Sequence, residues 1–310
     1  MLVTGGAGFI GSNLVEALLR RGDDVRVLDD FSTGRRENLA GVSEWRTAGE
    51  YTLVEGDIRD GEACRRAVDG VDWILHKAAI PSALQSVRDP VATHEVNLDG
   101  TLRLLESARE AGVKRFVFAS SSAIYGEGEL LPKDESMLPD PVSPYGLHKL
   151  AGEGYCNLYS RLYGLPTIAL RYFNVFGPRQ DPTSEYSAVI PRFIAATREG
   201  RPATIYGDGE QTRDFVFVDN VVQANLLACE AADEACGKAY NIACGERVSL
   251  NDLLRRISRL TGGGVPAEHA EPRAGDVRHS VAAIERATAG LGYRPAVDLM
   301  EGLRRTLEAV

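Results

Sequence analysis

Two side chains four residues apart, Tyr145 and Lys149, lie in the stretch S-P-Y-G-L-H-K at 143 to 149. On a helix opening after Ser143-Pro144 they project from one face, so an ammonium can stand beside a phenol. A nearby positive charge favours the phenolate and pulls its pKa down, which would make Tyr145 a usable proton acceptor. Upstream, S-S-S-A-I-Y-G at 120 to 126 offers a serine hydroxyl from the end of a strand. It could hydrogen-bond the same substrate oxygen, completing a Ser, Tyr, Lys constellation. Successive residues near a strand end alternate in direction, so Ser120 and Ser122 should face away from whatever Ser121 faces.

Such a constellation needs a scaffold and an electron carrier, and the N-terminal sequence supplies both. A short strand ending at Val3 runs into T-G-G-A-G-F-I-G, with Gly5, Gly8 and Gly11 evenly spaced. Ile10, Leu14 and Leu18 then recur at helical spacing up to Arg20-Arg21-Gly22. Glycines in a strand-to-helix turn let the backbone approach a pyrophosphate at a helix N-terminus. The second strand, Val25 to Leu28, ends in Asp29, where a carboxylate can accept hydrogen bonds from an adenosine ribose and disfavours a 2′-phosphate. NAD is therefore expected over NADP. Arg35 and Arg36 read as solvated loop charges.

Further strands are expected at Tyr51 to Glu55, Val71 to Leu75, Arg115 to Ala119 and Thr167 to Arg171. Six apolar strands with intervening helices imply an α/β, Rossmann-type doubly wound parallel sheet that binds ligands at the strands' carboxyl ends. Asp57 and Ile58 would flank the adenine, and Ala78-Ala79 would let the backbone pass close to the cofactor. The segments from Ala92 to Ala111 and Tyr145 to Tyr163 read as helices. Asn97 in the first could reach inward to hold the active-site helix.

Composition narrows the class. The chain has 310 residues, 44% hydrophobic and 25% charged, with a formal net charge of -9. That suits a large globular core and argues against nucleic acid, whose phosphates need a basic face. No apolar run has the length of a membrane helix and none reads as a signal peptide, so a cytoplasmic protein away from membranes is expected. The cysteines are odd in number, none forms C-x-x-C, and the histidines lack metal-ligand spacing, so reduced thiols and no metal site are expected.

The motifs together resemble the extended short-chain dehydrogenase/reductase superfamily, and within it the UDP-glucose (UDP-galactose) 4-epimerases and UDP-N-acetylglucosamine 4-epimerases. The resemblance rests on the pieces above, on V-N-L-D-G-T at 96 to 101 and on L-R-Y-F-N-V-F-G-P-R-Q-D-P at 170 to 182. It continues through G-D-G-E-Q-T-R-D-F at 207 to 215 and P-R-A-G-D-V-R-H-S at 272 to 280. It implies an NAD-binding Rossmann domain over residues 1-172 and a smaller, interleaved nucleotide-sugar domain over 173-310. Counting back four residues from Tyr125, as in relatives of the motif, makes Ser121 the catalytic serine with Tyr145 and Lys149. NAD would also be held by Phe9, Ile10, Asp30, Phe31, Ser32, Gly34, Lys77, Asn97 and Phe173. Lys77 is a departure, since relatives usually carry an apolar residue there.

For the UDP-sugar, the resemblance points to Ser86, Ser122, Asn174, Val189, Ile190, Thr204, Tyr206, Arg213, Arg273, Asp276 and Ser280. Arg213 and Arg273 would pair with the phosphates. The implied reaction is inversion at C4: Tyr145 takes the O4 proton as hydride leaves for NAD, and the 4-keto sugar turns its other face before hydride returns. Relatives dimerise by packing two long helices per subunit, which implies a homodimer. A nucleotide-sugar dehydratase or decarboxylase shares the fold, but eliminating relatives place Asp-Glu after the hydroxyl residue, where this chain has Ser122 and Ala123. A non-catalytic NAD-binding sensor would commonly lose the Tyr and Lys.

Overall fold

The computed structural model describes residues 1–181, 189–271 and 278–309. Seven parallel strands form the main sheet: β1 (Leu2–Thr4), β2 (Val25–Asp29), β3 (Tyr51–Glu55), β4 (Trp73–His76), β5 (Arg115–Ser121), β6 (Thr167–Tyr172) and β7 (Lys238–Ile242). Their spatial order is β7-β6-β5-β4-β1-β2-β3. The expected doubly wound parallel sheet is therefore present, with one strand more than the six read from the sequence. β7 lies in the C-terminal part of the chain yet pairs with β6 through Tyr240 and Leu170. It was missed because its K-A-Y-N-I stretch lacks a continuous apolar run. Burial of Asn241, which bonds the Lys133 carbonyl, makes up the difference.

Strand order reverses between β1 and β4, and in such sheets the carboxyl ends there part to leave a crevice. Helices cover both faces. On one, α1 (Phe9–Arg21) packs with Val218–Glu230 against Val3, Val27 and Leu75. On the other, α2 (Thr101–Glu110) and α3 (Pro144–Tyr163) bury Leu104, Leu105, Cys156 and Tyr159 against Phe116 and Phe118. Full burial of each such side chain is worth roughly 1.5–3 kcal/mol, so the two faces fix the strand ends firmly. A separate core around Phe176, Phe193 and Phe217 gathers Val189–Glu199, Leu250–Thr261 and Leu299–Glu308.

The helix expected from Ala92 to Ala111 is instead Pro90–His94, a π-helical turn at Glu95–Gly100, and α2. Here Thr101 donates to the Asn97 carbonyl at 2.8 Å while Asn97 turns its side chain out to bond Ile80. These side-chain demands widen the helix locally. Among the described residues no helix is long and apolar enough to cross a membrane.

Candidate active site

The turn after β1 is shaped by backbone contact. Gly5 has φ +66°, and a Cβ there would stand 2.7 Å from the Ala78 nitrogen. At Gly11 a Cβ would stand 2.0 Å from the Gly5 carbonyl oxygen, so only glycine lets α1 start this close to the turn. Gly8 caps α1 with no side-chain hydrogen bond, and the first turn holds no acidic residue. The N-terminal N–H groups thus open onto a cavity of about 500 Å³ lined by Gly5, Gly8, Phe9, Ile10, Gly11 and Asp29 at one end. Lys77, Ala79, Ser121, Tyr145, Lys149 and Phe173 line the other. A small adjoining slot is bounded by Asp29, Asp30, Ser32, Asp57, Ile58, Ala78 and Ala79.

Asp29 is held for its task. Its carboxylate accepts from Ala7 N and Phe31 N, each at 2.8 Å, and burial still raises its pKa above the ordinary value. Phe31 adopts a left-handed φ of 58° under the Arg36 guanidinium, and a Cβ on Gly34 would strike Ala7. Arg35 pairs with Asp181 at 2.5 Å and Arg36 with Glu55 at 2.6 Å, so both exposed charges already have acidic partners. Asp57 is engaged by Arg59, whose guanidinium lies 2.6 Å from it.

The opposite wall hangs on a buried polar chain. Thr4 bonds His76 Nδ1 at 2.7 Å, His76 Nε2 bonds Thr101 at 2.9 Å, and Thr101 donates to the Asn97 carbonyl. Asn97 then grips both the N–H and the C=O of Ile80, at 2.8 and 3.0 Å. It therefore holds the 77–80 wall rather than the active-site helix expected for it. Burial drives the His76 pKa well below its usual value, so the imidazole is neutral, and each nitrogen meets a hydroxyl.

At the chemical end, Ser143 caps α3 by accepting from Gly146 N at 3.1 Å. Ser86, fully buried, accepts from Tyr145 N at 3.0 Å and donates to the Ala83 carbonyl at 2.6 Å. Its hydroxyl thereby locates the first turn of α3. Ser120 turns to Glu153 on α3, whereas the Ser121 hydroxyl accepts from Ala123 N at 3.1 Å and lies close enough to the Tyr145 phenol to act on its pKa. Ser122 starts the short helical turn Ser122–Tyr125 and is not part of the cavity lining.

Lys149 donates to the Ala119 carbonyl at 2.8 Å, with its Nζ 5.8 Å from the Tyr145 ring centroid. Burial pushes its pKa down to about 8. The same burial raises the Tyr145 pKa, against the lowering effect of the Ser121 hydroxyl. This corrects the expectation that the lysine would draw the phenol down. In so enclosed a place desolvation of the phenolate outweighs the neighbouring charge.

Asn174, between the lining residues Phe173 and Val175, begins the part of the chain that holds the residues assigned to the nucleotide. Asn174 donates through Nδ2 to the Asp214 carbonyl at 3.2 Å. Ile190 is buried at the start of Val189–Glu199, while Thr204 and Tyr206 lie on the strand Ala203–Tyr206, with Arg192 over the Tyr206 ring. Arg213 donates to the Thr212 carbonyl at 2.9 Å, and Ser280 N donates to the same carbonyl at 3.0 Å, which puts Ser280 beside Arg213. Arg273 and Asp276 lie outside the described residues. Pro81, Ser82, Gln85, Tyr172, Val175 and Gln180 also line the cavity and were not singled out in the sequence. The first three fall in A-A-I-P-S-A-L-Q-S-V-R-D-P at 78 to 90, which also resembles epimerases acting on N-acetylated sugars, and the last three in R-Y-F-N-V-F-G-P-R-Q-D-P.

Glycine turn, uncapped helix N-terminus, buried Asp29 carboxylate, Ser121 and Tyr145 thus line one cavity. The sequence matches the NAD dependent epimerase/dehydratase family over residues 1–243. A UDP-glucose 4-epimerase of Mycolicibacterium smegmatis is 41% identical over 309 residues, 99% of this chain and 97% of that protein. A UDP-N-acetylglucosamine 4-epimerase from Methanobrevibacter ruminantium M1, solved with UDP-N-acetylmuramic acid, superposes with a TM-score of 0.93 at 37% identity, covering 99% and 96% of the chains. A Thermus thermophilus UDP-glucose 4-epimerase in complex with NAD gives 0.89 at 40% identity, covering 99% and 97%. The chain belongs to the NAD-dependent epimerase/dehydratase family, and its cofactor is NAD.

Proposed function

We propose that this enzyme inverts C4 of a UDP-hexose, interconverting UDP-glucose and UDP-galactose and also their N-acetylated counterparts. The observation that carries the reading is that Ser121, Tyr145 and Lys149 line the same cavity as the glycine turn and Asp29. Bound NAD supplies reversible removal and return of hydride. Tyr145 accepts the proton of the sugar's O4 and gives it back, while Ser121 hydrogen-bonds that oxygen in both states. Lys149 stabilises the phenolate as it forms, being the nearest buried ammonium on the same helix. Elimination of water is disfavoured because Ser122 and Ala123 follow Ser121 in place of an acid-base pair.

The nucleotide is assigned to Asn174, Thr204, Tyr206 and Arg213, with Arg273 and Asp276 from the adjoining motif. Ser280 would face the sugar's C2 substituent, where a small side chain leaves room for an N-acetyl group. A homodimer belongs to the same reading, because Leu147, Leu158, Leu162 and Tyr163 are exposed along α3. So do a cytoplasmic location and the interleaving of an NAD-binding part, residues 1–172, with a nucleotide-sugar part. The test is turnover of both sugar pairs by wild type and Ser280→Tyr, without added reductant. We expect the substitution to cut turnover of the N-acetylated pair by about 5- to 150-fold while sparing the smaller one, since an overpacked site costs about 1–3 kcal/mol. A wild type inactive on all four sugars refutes the epimerase reading, and a variant that loses both pairs equally refutes the size gate.

A further inference from the structure

Lys77, the residue that departs from its relatives, occupies a definite place in the cavity. It follows β4 and lines the cavity together with Ala119, Tyr172 and Phe173. Its Nζ donates to the Tyr172 hydroxyl at 3.0 Å and stands 5.5 Å from that ring's centroid. Tyr172 is in turn held by Asn225, whose Nδ2 donates to the same hydroxyl at 2.8 Å. The lysine is thus aimed and fixed from β6 and the helix Val218–Glu230.

The titratable groups around it are His76 from β4, Lys149 from α3, Tyr172 from β6 and Cys229 from Val218–Glu230. Among the described residues acting on it none is a carboxylate. His76 is neutral, and burial raises the Tyr172 and Cys229 pKa values far above neutrality. Lys77 therefore brings a cation with no counter-charge to the end of the cavity where Ser121 and Tyr145 meet. An enclosed, uncompensated charge acts at full strength on whatever shares its low-dielectric surroundings.

NAD carries a positive ring when oxidised and a neutral one when reduced, and the reacting ring has to lie within reach of Tyr145. We propose that Lys77 is an electrostatic tuning residue for the cofactor, its ammonium disfavouring the oxidised ring and so raising the proportion of bound cofactor in the reduced form. The inference rests on the NAD-binding reading of the cavity and is independent of which sugar is turned over. Because burial pushes the Lys77 pKa down to about 7, the bias should be present in acid and fade as pH rises through that value.

The test equilibrates holoenzyme with NAD and NADH at a fixed free ratio and reads the bound ratio from reduced-nicotinamide absorbance, with no sugar present. Wild type, Lys77→Met and Lys77→Arg are compared at about pH 6 and about pH 9. At the lower pH, Lys77→Met should cut the bound NADH to NAD ratio by about tenfold. Wild type should move in that direction at the higher pH, and Lys77→Arg, whose charge persists, should move less. Lys149 titrates nearby in all three proteins, so Lys77 is read from the differences between them at about pH 6, below the pKa of Lys149. A purely structural role would weaken both cofactor forms together and leave the ratio unchanged. The proposal is overturned if Lys77→Met stays within about twofold of wild type at low pH. If the Met variant does not fold, the Arg comparison decides: equal pH shifts in Arg and wild type overturn it.

Discussion

Removing Arg171 while leaving Glu153 should unseat the strand end that carries Ser121. The two side chains are 7% and 9% exposed. Arg171 donates from Nε and Nη2 to the two Glu153 oxygens at 2.9 and 2.8 Å, and from Nη1 to the Tyr125 hydroxyl at 2.8 Å. Ser120 also donates to Glu153, and Tyr125 donates to Asn241 on β7 at 2.7 Å. Arg171→Met therefore strands a carboxylate in the interior and takes three charge-assisted bonds with it. Breaking one side of such a pair costs about 3–5 kcal/mol, a large part of a stability of order 5–15 kcal/mol. Replacing both partners, as Arg171→Met with Glu153→Leu, removes both buried charges and should cost about 2 kcal/mol less than the sum of the single changes. Urea unfolding followed in parallel by circular dichroism and by the fluorescence of Trp45 and Trp73 measures all three variants and checks for a single transition. If Arg171→Met cost less than about 1 kcal/mol, or the double change were fully additive, the pair would not be acting as a buried unit.

Three further outcomes follow from the site. Tyr145→Phe keeps the ring but loses the proton acceptor, so kcat should fall by on the order of 10²-fold or more with NAD still retained on purification. Retention of most activity would refute the assignment. Since burial lowers the Lys149 pKa to about 8, its ammonium is present below that pH and lost above it. Activity should therefore decline as pH rises through about 8, and Lys149→Met should remove that limb from the pH profile along with most of the rate; an unchanged profile would contradict the role. Asp29→Ala should weaken NAD binding, measured by cofactor titration, and wild type should prefer NAD over NADP. Equal use of the two would overturn the argument from the carboxylate.

Short-range constraints in the sequence were sufficient for the parallel sheet and the dinucleotide class. Strand, glycine turn and helix are consecutive, and Gly5 and Gly11 are required by contacts within a few residues or with the adjacent strand end. The spacing of Tyr145 and Lys149 is a property of one helix, so their common face needed no knowledge of the rest. Residues far apart in the chain were a different matter. β7 reaches the sheet from beyond residue 230, Lys77 finds Tyr172 at a separation of 95 positions, and Ser86 meets Tyr145 N across 59. None of these pairs has a local periodicity to announce it; each is selected because a polar group buried by the fold must find a partner. The direction of the Tyr145 pKa was decided the same way. Charge and spacing along the helix argued for a depressed value, but the depth of burial, which only the packed tertiary structure determines, carried it upward.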